Sequence, residues 1–194
     1  MKRRLITLAV IIPALAILSY FGGDKLILVG RIAQLYAAAP DERLAMPVAG
    51  VSKSKVSDSW LAPRSGGERQ HQGQDIFAPR GTPVLSATDG YVVRVGENRL
   101  GGKTVSVMGA GGRMYYYAHL DAYAPNLGLG EYVTPKTVLG FVGTTGNAAG
   151  TPPHLHFGVY STKGAINPLP MLSERVEATP AGKAAKARLG KERN

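Results

Sequence analysis

The chain contains four histidines, and their spacing together with one aspartate indicates a single site. His71 precedes Asp75 by four positions in the stretch HQGQD, His119 ends the run MYYYAH, and His154 precedes His156 by two positions in HLHF. Residues at even separations in an extended strand point to the same face. We therefore expect His71 to face the same way as Asp75, and His154 the same way as His156.

These residue types fit a catalytic zinc site. Catalytic zinc is held by three side chains and keeps a fourth position open, where it activates water and polarises a carbonyl group. The chain has no cysteine, so any metal is held by nitrogen and oxygen. Three ligands leave two histidines to move a proton and to stabilise an oxyanion. A closed structural site with four ligands drawn from the histidines and Asp75 is an alternative, and spacing alone does not choose between His154 and His156.

Short β-prone runs separated by glycine and proline surround the histidines across residues 46–172. The runs lie at 82–96, 103–109, 113–120, 132–143 and 154–160. None of them has the periodicity of a helix. Asp89 and Gly90, inside the first run, are a favoured pair for a hairpin turn between two strands. We predict an all-β, mostly antiparallel domain, and a faint repeat between residues 81–96 and 130–143 is typical of half-barrel hybrid motifs.

The motifs HQGQDI, YYAHL and HLHF occur in this order, with the glycine-rich VGTTGNAAG before the last. Together they resemble the LytM/lysostaphin-type zinc endopeptidases that cleave peptidoglycan cross-links. The resemblance implies a duplicated hybrid motif fold and one zinc ion per domain, with His71, Asp75 and His156 as ligands. It also implies that His154 and His119 are the catalytic pair, one activating water and the other stabilising the oxyanion.

The resemblance covers about residues 46–170 and has one visible departure. Gly158 stands where members of the family commonly carry an acidic residue after HLHF. Some members have lost metal ligands and activate amidases instead, so a non-catalytic wall-binding or regulatory module is the alternative. The complete set of motifs favours catalysis. Glycines in the 143–150 loop would let it approach a substrate backbone beside the metal, and Trp60 and Arg64 lie where a cleft wall is expected.

The N-terminus has the pattern of a targeting segment. Lys2, Arg3 and Arg4 precede an uncharged, mostly apolar stretch at residues 5–21. Positive charge before an apolar run is typical of a secretory signal or a signal-anchor. We therefore expect a single-pass membrane protein whose domain lies outside the cytoplasm, on the periplasmic or cell-wall side, or a secreted protein if the segment is cleaved.

Four segments follow from these patterns. They are a signal-anchor or transmembrane segment at 1–23, a juxtamembrane linker at 24–43, the peptidase-like domain at 44–172 and a basic flexible tail at 173–194. The formal net charge of +10 is spread over both ends and the middle of the chain rather than clustered on one element. This distribution argues against nucleic acid as a partner. A spread positive charge is compatible with binding to peptidoglycan and to a membrane surface. A regulatory protein partner is also compatible with the sequence.

Overall fold

The computed structural model describes residues 23–173 of the 194-residue chain. The predicted apolar stretch at 5–21 and the tail beyond Ser173 lie outside the described residues. The chain divides into two units after Gln34, and the strands belong to the second unit. Helix α1, Gly23–Ala37, precedes the strands. Within residues 23–173, no helix is both long enough and apolar enough to span a membrane.

Eleven strands lie in the described part of the second unit. They are β1 (Pro63–Arg64), β2 (Arg69–Gln70), β3 (Gln74–Phe77), β4 (Pro83–Leu85), β5 (Gly90–Asn98), β6 (Gly102–Gly109), β7 (Met114–Tyr123), β8 (Tyr132–Val133), β9 (Val138–Val142), β10 (His154–Ser161) and β11 (Gly164–Ile166). Short 3-10 helices lie at Lys53–Lys55, Ser65–Gly67, Ala110–Gly112, Gly146–Ala148 and Leu169–Met171.

The strands form one large sheet and one small hairpin. Within residues 23–173, β1 and β2 pair only with each other, and the other nine strands belong to a sheet built on the order β11-β10-β7-β6-β5-β8. β3 pairs with β10, and β9 pairs with β4 and β7. Every pair of these strands is antiparallel, which confirms the predicted antiparallel β-sheet. The two segments with similar sequences pair with each other, β4 with β9 and β5 with β8.

The predicted hairpin at Asp89 and Gly90 is wrong, although strands lie on both sides of this pair. β4 and β5 do not pair with each other, because both edges of β4 are occupied. One edge lies against β9 and the other against the segment 45–49, where Leu85 donates its backbone N–H to the carbonyl oxygen of Pro47 at 2.8 Å. The chain therefore crosses to a different place in the sheet to begin β5.

Strand β7 has one face in the core and the other face toward a cleft. Tyr115 and Tyr117 are completely buried, and both rings pack near Phe157 with centroid distances of 6.5 and 5.2 Å. Tyr116, between them, is only partly buried and lines the cleft. The burial of the two tyrosines fixes the rotation of β7 about its own axis and so determines which of its side chains reach the cleft.

The segment that precedes the strands is packed against the same core. Leu44 is buried and forms a parallel bridge with Leu172, so the two ends of the domain lie side by side. Asp41 accepts hydrogen bonds at its Oδ2 from the Thr88 hydroxyl at 2.6 Å and from the Tyr115 hydroxyl at 3.1 Å. The end of the predicted 24–43 linker is therefore anchored to the sheet.

Candidate active site

All five site residues predicted from the sequence line one cleft. The cleft has a volume of about 1140 Å³, and strands β3, β7 and β10 contribute to its lining together with the β1–β2 hairpin. The predicted residues in it are His71, Asp75, His119, His154 and His156. Residues far apart in the sequence therefore come together in the fold.

Three of these side chains bring their ligand atoms into contact. Nε2 of His71 lies 2.8 Å from Nδ1 of His156 and 3.0 Å from Oδ1 of Asp75, and the latter two atoms are 3.1 Å apart. Donor atoms that hold zinc tetrahedrally at about 2.0–2.1 Å lie about 3.3 Å from one another. The three residues could therefore hold a metal ion, and a set of two imidazoles and one carboxylate fits zinc.

Strand register explains why Asp75 meets His156. β3 and β10 are antiparallel, and Asp75 lies directly opposite His156 in their pairing. Residues directly opposite each other share a face of the sheet, with Cβ atoms about 4.5–5.5 Å apart. His154 lies two positions earlier on the same face, as the spacing predicts, while Leu155 between them is completely buried.

Ser59 orients the His71 side chain and also contacts the backbone of Asp75. Nδ1 of His71 donates a hydrogen bond to the carbonyl oxygen of Ser59 at 2.6 Å, so Nε2 is the nitrogen that faces the cluster. The hydroxyl of Ser59 accepts the backbone N–H of Asp75 at 3.0 Å. Partners of this kind set the tautomer and direction of metal-binding histidines. Nothing in the sequence points to Ser59, because every residue has a carbonyl oxygen and residue type does not show which one contacts a histidine.

His119 and His154 lie beside the cluster, with their ring centroids 5.0 Å apart. Nδ1 of His119 donates to the carbonyl oxygen of Thr145 at 2.9 Å, and Nδ1 of His154 donates to that of Pro152 at 2.8 Å. A neutral imidazole that donates from Nδ1 has its lone pair on Nε2. Nε2 of His154 is 4.0 Å from Oδ1 of Asp75. Both histidines can therefore accept a proton next to the cluster.

The backbone at His119 turns this side chain into the cleft against the alternation of the strand. Tyr116 and Ala118 line the cleft as alternate residues of β7, yet His119 lines it as well. Its φ angle is 63°, and the pairing of β7 with β6 shifts register at this point. The left-handed region costs a residue with a side chain about 1–2 kcal/mol. Such bulges re-aim a side chain and are common at functional sites.

Burial and hydrogen bonding set the ionisation of the cluster. Burial lowers the pKa of His119 to about 4, although the hydrogen bond to Thr145 acts to raise this pKa. Burial also lowers the pKa of His156. Burial by itself would raise the pKa of Asp75, but hydrogen bonds with His156 and His71 outweigh it and hold this pKa well below its usual range. At neutral pH His119 and His156 are therefore neutral and Asp75 is ionised, the forms that suit metal binding.

Two glycines make room for side chains of the site. A Cβ atom at Gly73 would lie 2.6 Å from Cε1 of His156, so no side chain fits there. A Cβ atom at Gly158 would lie 2.7 Å from the ring of Tyr160, which lines the cleft and donates its hydroxyl to the carbonyl oxygen of Gln72 at 3.2 Å. The Tyr160 ring therefore occupies the space beside position 158.

The loops predicted to flank the site differ in which of their residues line the cleft. Arg64 lines the cleft, whereas Trp60 is not among its lining residues in the described part of the chain. The glycine-rich loop 143–150 lies beside the histidines and supplies the Thr145 carbonyl that holds His119. The sequence indicated this loop through its glycines but gave no sign of the role of Thr145.

Comparison with known proteins identifies relatives of the region that contains the cleft. Residues 69–168 match Peptidase family M23. An L-Ala–D-Glu endopeptidase of Bacillus subtilis (strain 168) is 39% identical over 116 residues, covering 55% of this chain and 36% of that protein. The DD-carboxypeptidase/endopeptidase Mpg of Neisseria meningitidis serogroup B is 38% identical over 117 residues, covering 60% of this chain and 26% of that protein. The chain thus spans between about a quarter and about a third of the length of these two relatives.

A solved structure agrees with this match. The catalytic domain of the antimicrobial peptidase lysostaphin from Staphylococcus simulans has a TM-score of 0.52 and 30% sequence identity to this chain, covering 61% of this chain and 92% of that domain. The family match extends over more than half of the chain and includes the five cleft residues described above. The chain therefore belongs to peptidase family M23.

Proposed function

We propose that this chain is a zinc-dependent endopeptidase that hydrolyses peptide bonds in the stem peptides or cross-bridges of peptidoglycan. The observation that carries the proposal is the arrangement of two histidines beside a cluster of two further histidines and an aspartate, all in one cleft. The names of two relatives, an L-Ala–D-Glu endopeptidase and a DD-carboxypeptidase/endopeptidase, support peptides of the bacterial wall as the substrate class.

His71, Asp75 and His156 are the residues that would hold the zinc ion. Bound there, zinc supplies Lewis acidity, which activates water as a nucleophile near neutral pH and polarises a carbonyl group. The carbonyl oxygen of Ser59 keeps Nε2 of His71 directed at the cluster by accepting a hydrogen bond from the Nδ1–H group. The ionised state of Asp75 supplies one negative charge toward the balance of a divalent cation.

One of the two remaining histidines carries the proton, and the other stabilises the oxyanion. In the neutral form, Nε2 of His119 or of His154 accepts a proton from the attacking water as the new bond to the carbonyl carbon forms. The imidazolium gives this proton to the amide nitrogen as the C–N bond breaks. The new carboxylic acid then loses the second proton of the water to the amine, so the products are a carboxylate and a protonated amine. The partner histidine, when protonated on Nε2, donates a hydrogen bond to the oxyanion.

The surroundings of the histidines suit a peptide with small apolar groups. Phe77 is 57% exposed, and its ring centroid lies 5.2 Å from that of His154. Leu100 also lines the cleft and is 38% exposed. Large apolar side chains left exposed beside reactive groups commonly contact a ligand. These two side chains would pack against the methyl groups and backbone of a substrate peptide.

The proposal places the domain outside the cytoplasm, where peptidoglycan lies. Support comes from the basic residues followed by the apolar stretch at 5–21, which would anchor the chain in the membrane or direct its secretion. A duplicated hybrid motif is the proposed fold type. It is supported by the pairing of β4 with β9 and of β5 with β8, which joins the two segments of similar sequence.

Metal content and wall cleavage, measured on the same preparation of the full chain, test the proposal. We expect one zinc ion per chain, release of muropeptides from cross-linked walls, loss of release with a chelator and recovery when zinc is added back. His119→Ala should keep its zinc and release nothing. A full complement of zinc without cleavage of any wall type would contradict the enzyme and favour the non-catalytic module.

A further inference from the structure

The two carboxylate oxygens of Asp75 have different partners. Oδ1 lies 3.0 Å from Nε2 of His71 and 3.1 Å from Nδ1 of His156, within the metal-binding cluster. Oδ2 accepts a hydrogen bond from Nη2 of Arg64 at 2.5 Å. A hydrogen bond between a guanidinium and a carboxylate is charge-assisted and stronger than a bond between neutral groups. The arginine therefore occupies the oxygen that the two histidines leave unused.

The hairpin that carries Arg64 also carries a metal-binding residue. Arg64 in β1 pairs with Arg69 in β2. The same ladder continues to His71, whose backbone N–H donates to the carbonyl oxygen of Ala62 at 3.0 Å, while Leu61 donates to the carbonyl oxygen of His71 at 2.9 Å. One small element thus presents a ligand histidine and braces the ligand carboxylate on β3.

The burial of its carboxylate separates this ion pair from an ordinary surface salt bridge. Exposed pairs contribute about 0–1 kcal/mol, because water and salt screen them. Here the side chain of Asp75 is only 10% exposed, although that of Arg64 is 40% exposed. A carboxylate with so little access to water depends on its protein partners for orientation. Removing the arginine would leave Oδ2 without this partner and the carboxylate free to rotate.

We propose that Arg64 is a positioning residue for the metal site. It holds the carboxylate of Asp75 so that only Oδ1 faces His71 and His156. This inference rests on the zinc site of the proposed function. It assigns to Arg64 an effect on metal affinity that acts through Asp75, without contact to the ion. Loss of such supporting partners typically weakens metal binding by about 10–100-fold.

The test compares three variants of the full chain by zinc affinity, measured through competition with a chelator of known affinity. Arg64→Gln removes the charge and should bind zinc about 10–100-fold more weakly. Arg64→Lys keeps the charge without the planar guanidinium and should recover part of the loss. Arg99→Gln is the matched control, since Arg99 is exposed in a neighbouring depression beside Leu100 and its loss should leave zinc affinity unchanged.

Two further readouts separate positioning from general destabilisation. Visible absorption of the cobalt-loaded proteins should differ between the Arg64→Gln variant and the wild type, because a rotated carboxylate changes the ligand field. Circular dichroism of the metal-free variants checks that the fold is kept, and Arg64→Lys serves in place of Arg64→Gln if the latter does not fold.

Zinc binding by the wild type and by the variants distinguishes a wrong role for Arg64 from a wrong function for the whole site. If the wild type binds zinc and the Arg64→Gln variant binds it equally well, or if Arg99→Gln loses as much affinity, the inference is overturned alone. If the wild type binds no zinc, the proposed function fails and the inference fails with it.

Discussion

Nδ1 of His119 donates a hydrogen bond to the carbonyl oxygen of Thr145 across 2.9 Å. Thr145 is itself held in place, because its hydroxyl donates to the carbonyl oxygen of Leu120 at 2.9 Å and accepts the backbone N–H of Lys103 at 3.0 Å. The glycine-rich loop therefore acts as a support for a histidine of the cleft. The glycines of the sequence predict only that this loop approaches the substrate.

The backbone strain at His119 predicts a difference between two substitutions that both remove the imidazole. His119→Ala keeps a Cβ atom at a φ of 63°, whereas His119→Gly does not. We expect the glycine variant to be more stable by about 1 kcal/mol, and both variants to be inactive while retaining zinc. Urea denaturation of the metal-free proteins measures the difference. Equal stability of the two variants would mean that this backbone is relaxed in solution.

Replacement of Thr145 by valine should affect turnover more than metal binding. The change removes two hydrogen bonds of the hydroxyl, and each bond is worth about 0.5–1.5 kcal/mol. We expect lower thermal stability and a reduced kcat because the carbonyl that holds His119 shifts. Zinc affinity should stay at the wild-type value. Thr144→Val, at the neighbouring partly buried threonine, is the control, and a similar loss of kcat there would contradict the specific role of Thr145.

We expect that a side chain at position 73 would displace a residue of the metal site. In Gly73→Ala the new methyl group would meet Cε1 and Nε2 of His156 at 2.6 and 2.7 Å, so the imidazole has to move. We expect zinc affinity to fall by at least about tenfold, as for other disturbances of ligand orientation. Gly96→Ala, where no atom lies within 4 Å of the added methyl group, should bind zinc like the wild type. Unchanged affinity in the Gly73→Ala variant would show that His156 is not confined as described.

Local patterns were enough to identify the residues of the site but not all of their contacts. The spacing of His154 and His156 predicts a shared face, because strand alternation is a local property. The placement of Asp75 opposite His156 depends on the pairing of β3 with β10, which are far apart in the sequence. Pairing between distant strands is decided by the packing of the whole sheet, and a single sequence does not reveal it.

His119 illustrates a second limit. Regular alternation along β7 would direct its side chain away from the face of Tyr116, and only a positive φ brings it into the cleft. Glycine and asparagine are the usual signals for such a conformation, and histidine is a weaker one. The hairpin expected at Asp89 and Gly90 failed for a related reason, since turn propensity does not report whether an edge of the preceding strand is free.

The contacts of Asp41 indicate that the segment before the strands contributes to the free energy of unfolding. Its carboxylate accepts hydrogen bonds from Thr88 and Tyr115, and hydrogen bonds to a charged group are worth about 1.5–3 kcal/mol each when well buried. Because Asp41 is only partly buried, we expect Asp41→Ala to lower the free energy of unfolding by about 1–3 kcal/mol in total. Glu42→Ala, at the exposed neighbour, should have little effect in the same urea titration. Equal stability of the two variants would indicate that the segment is not anchored through Asp41.

The most direct test of the central claim is mass spectrometry of muropeptides released from defined walls by the zinc-loaded full chain. We predict new fragments that correspond to the addition of one water across a peptide bond, with a free amine on one product and a carboxylate on the other. These fragments should be absent with the His154→Ala variant and after treatment with a chelator. Intact peptides in every wall type tested, from a chain that carries its zinc, would contradict the account.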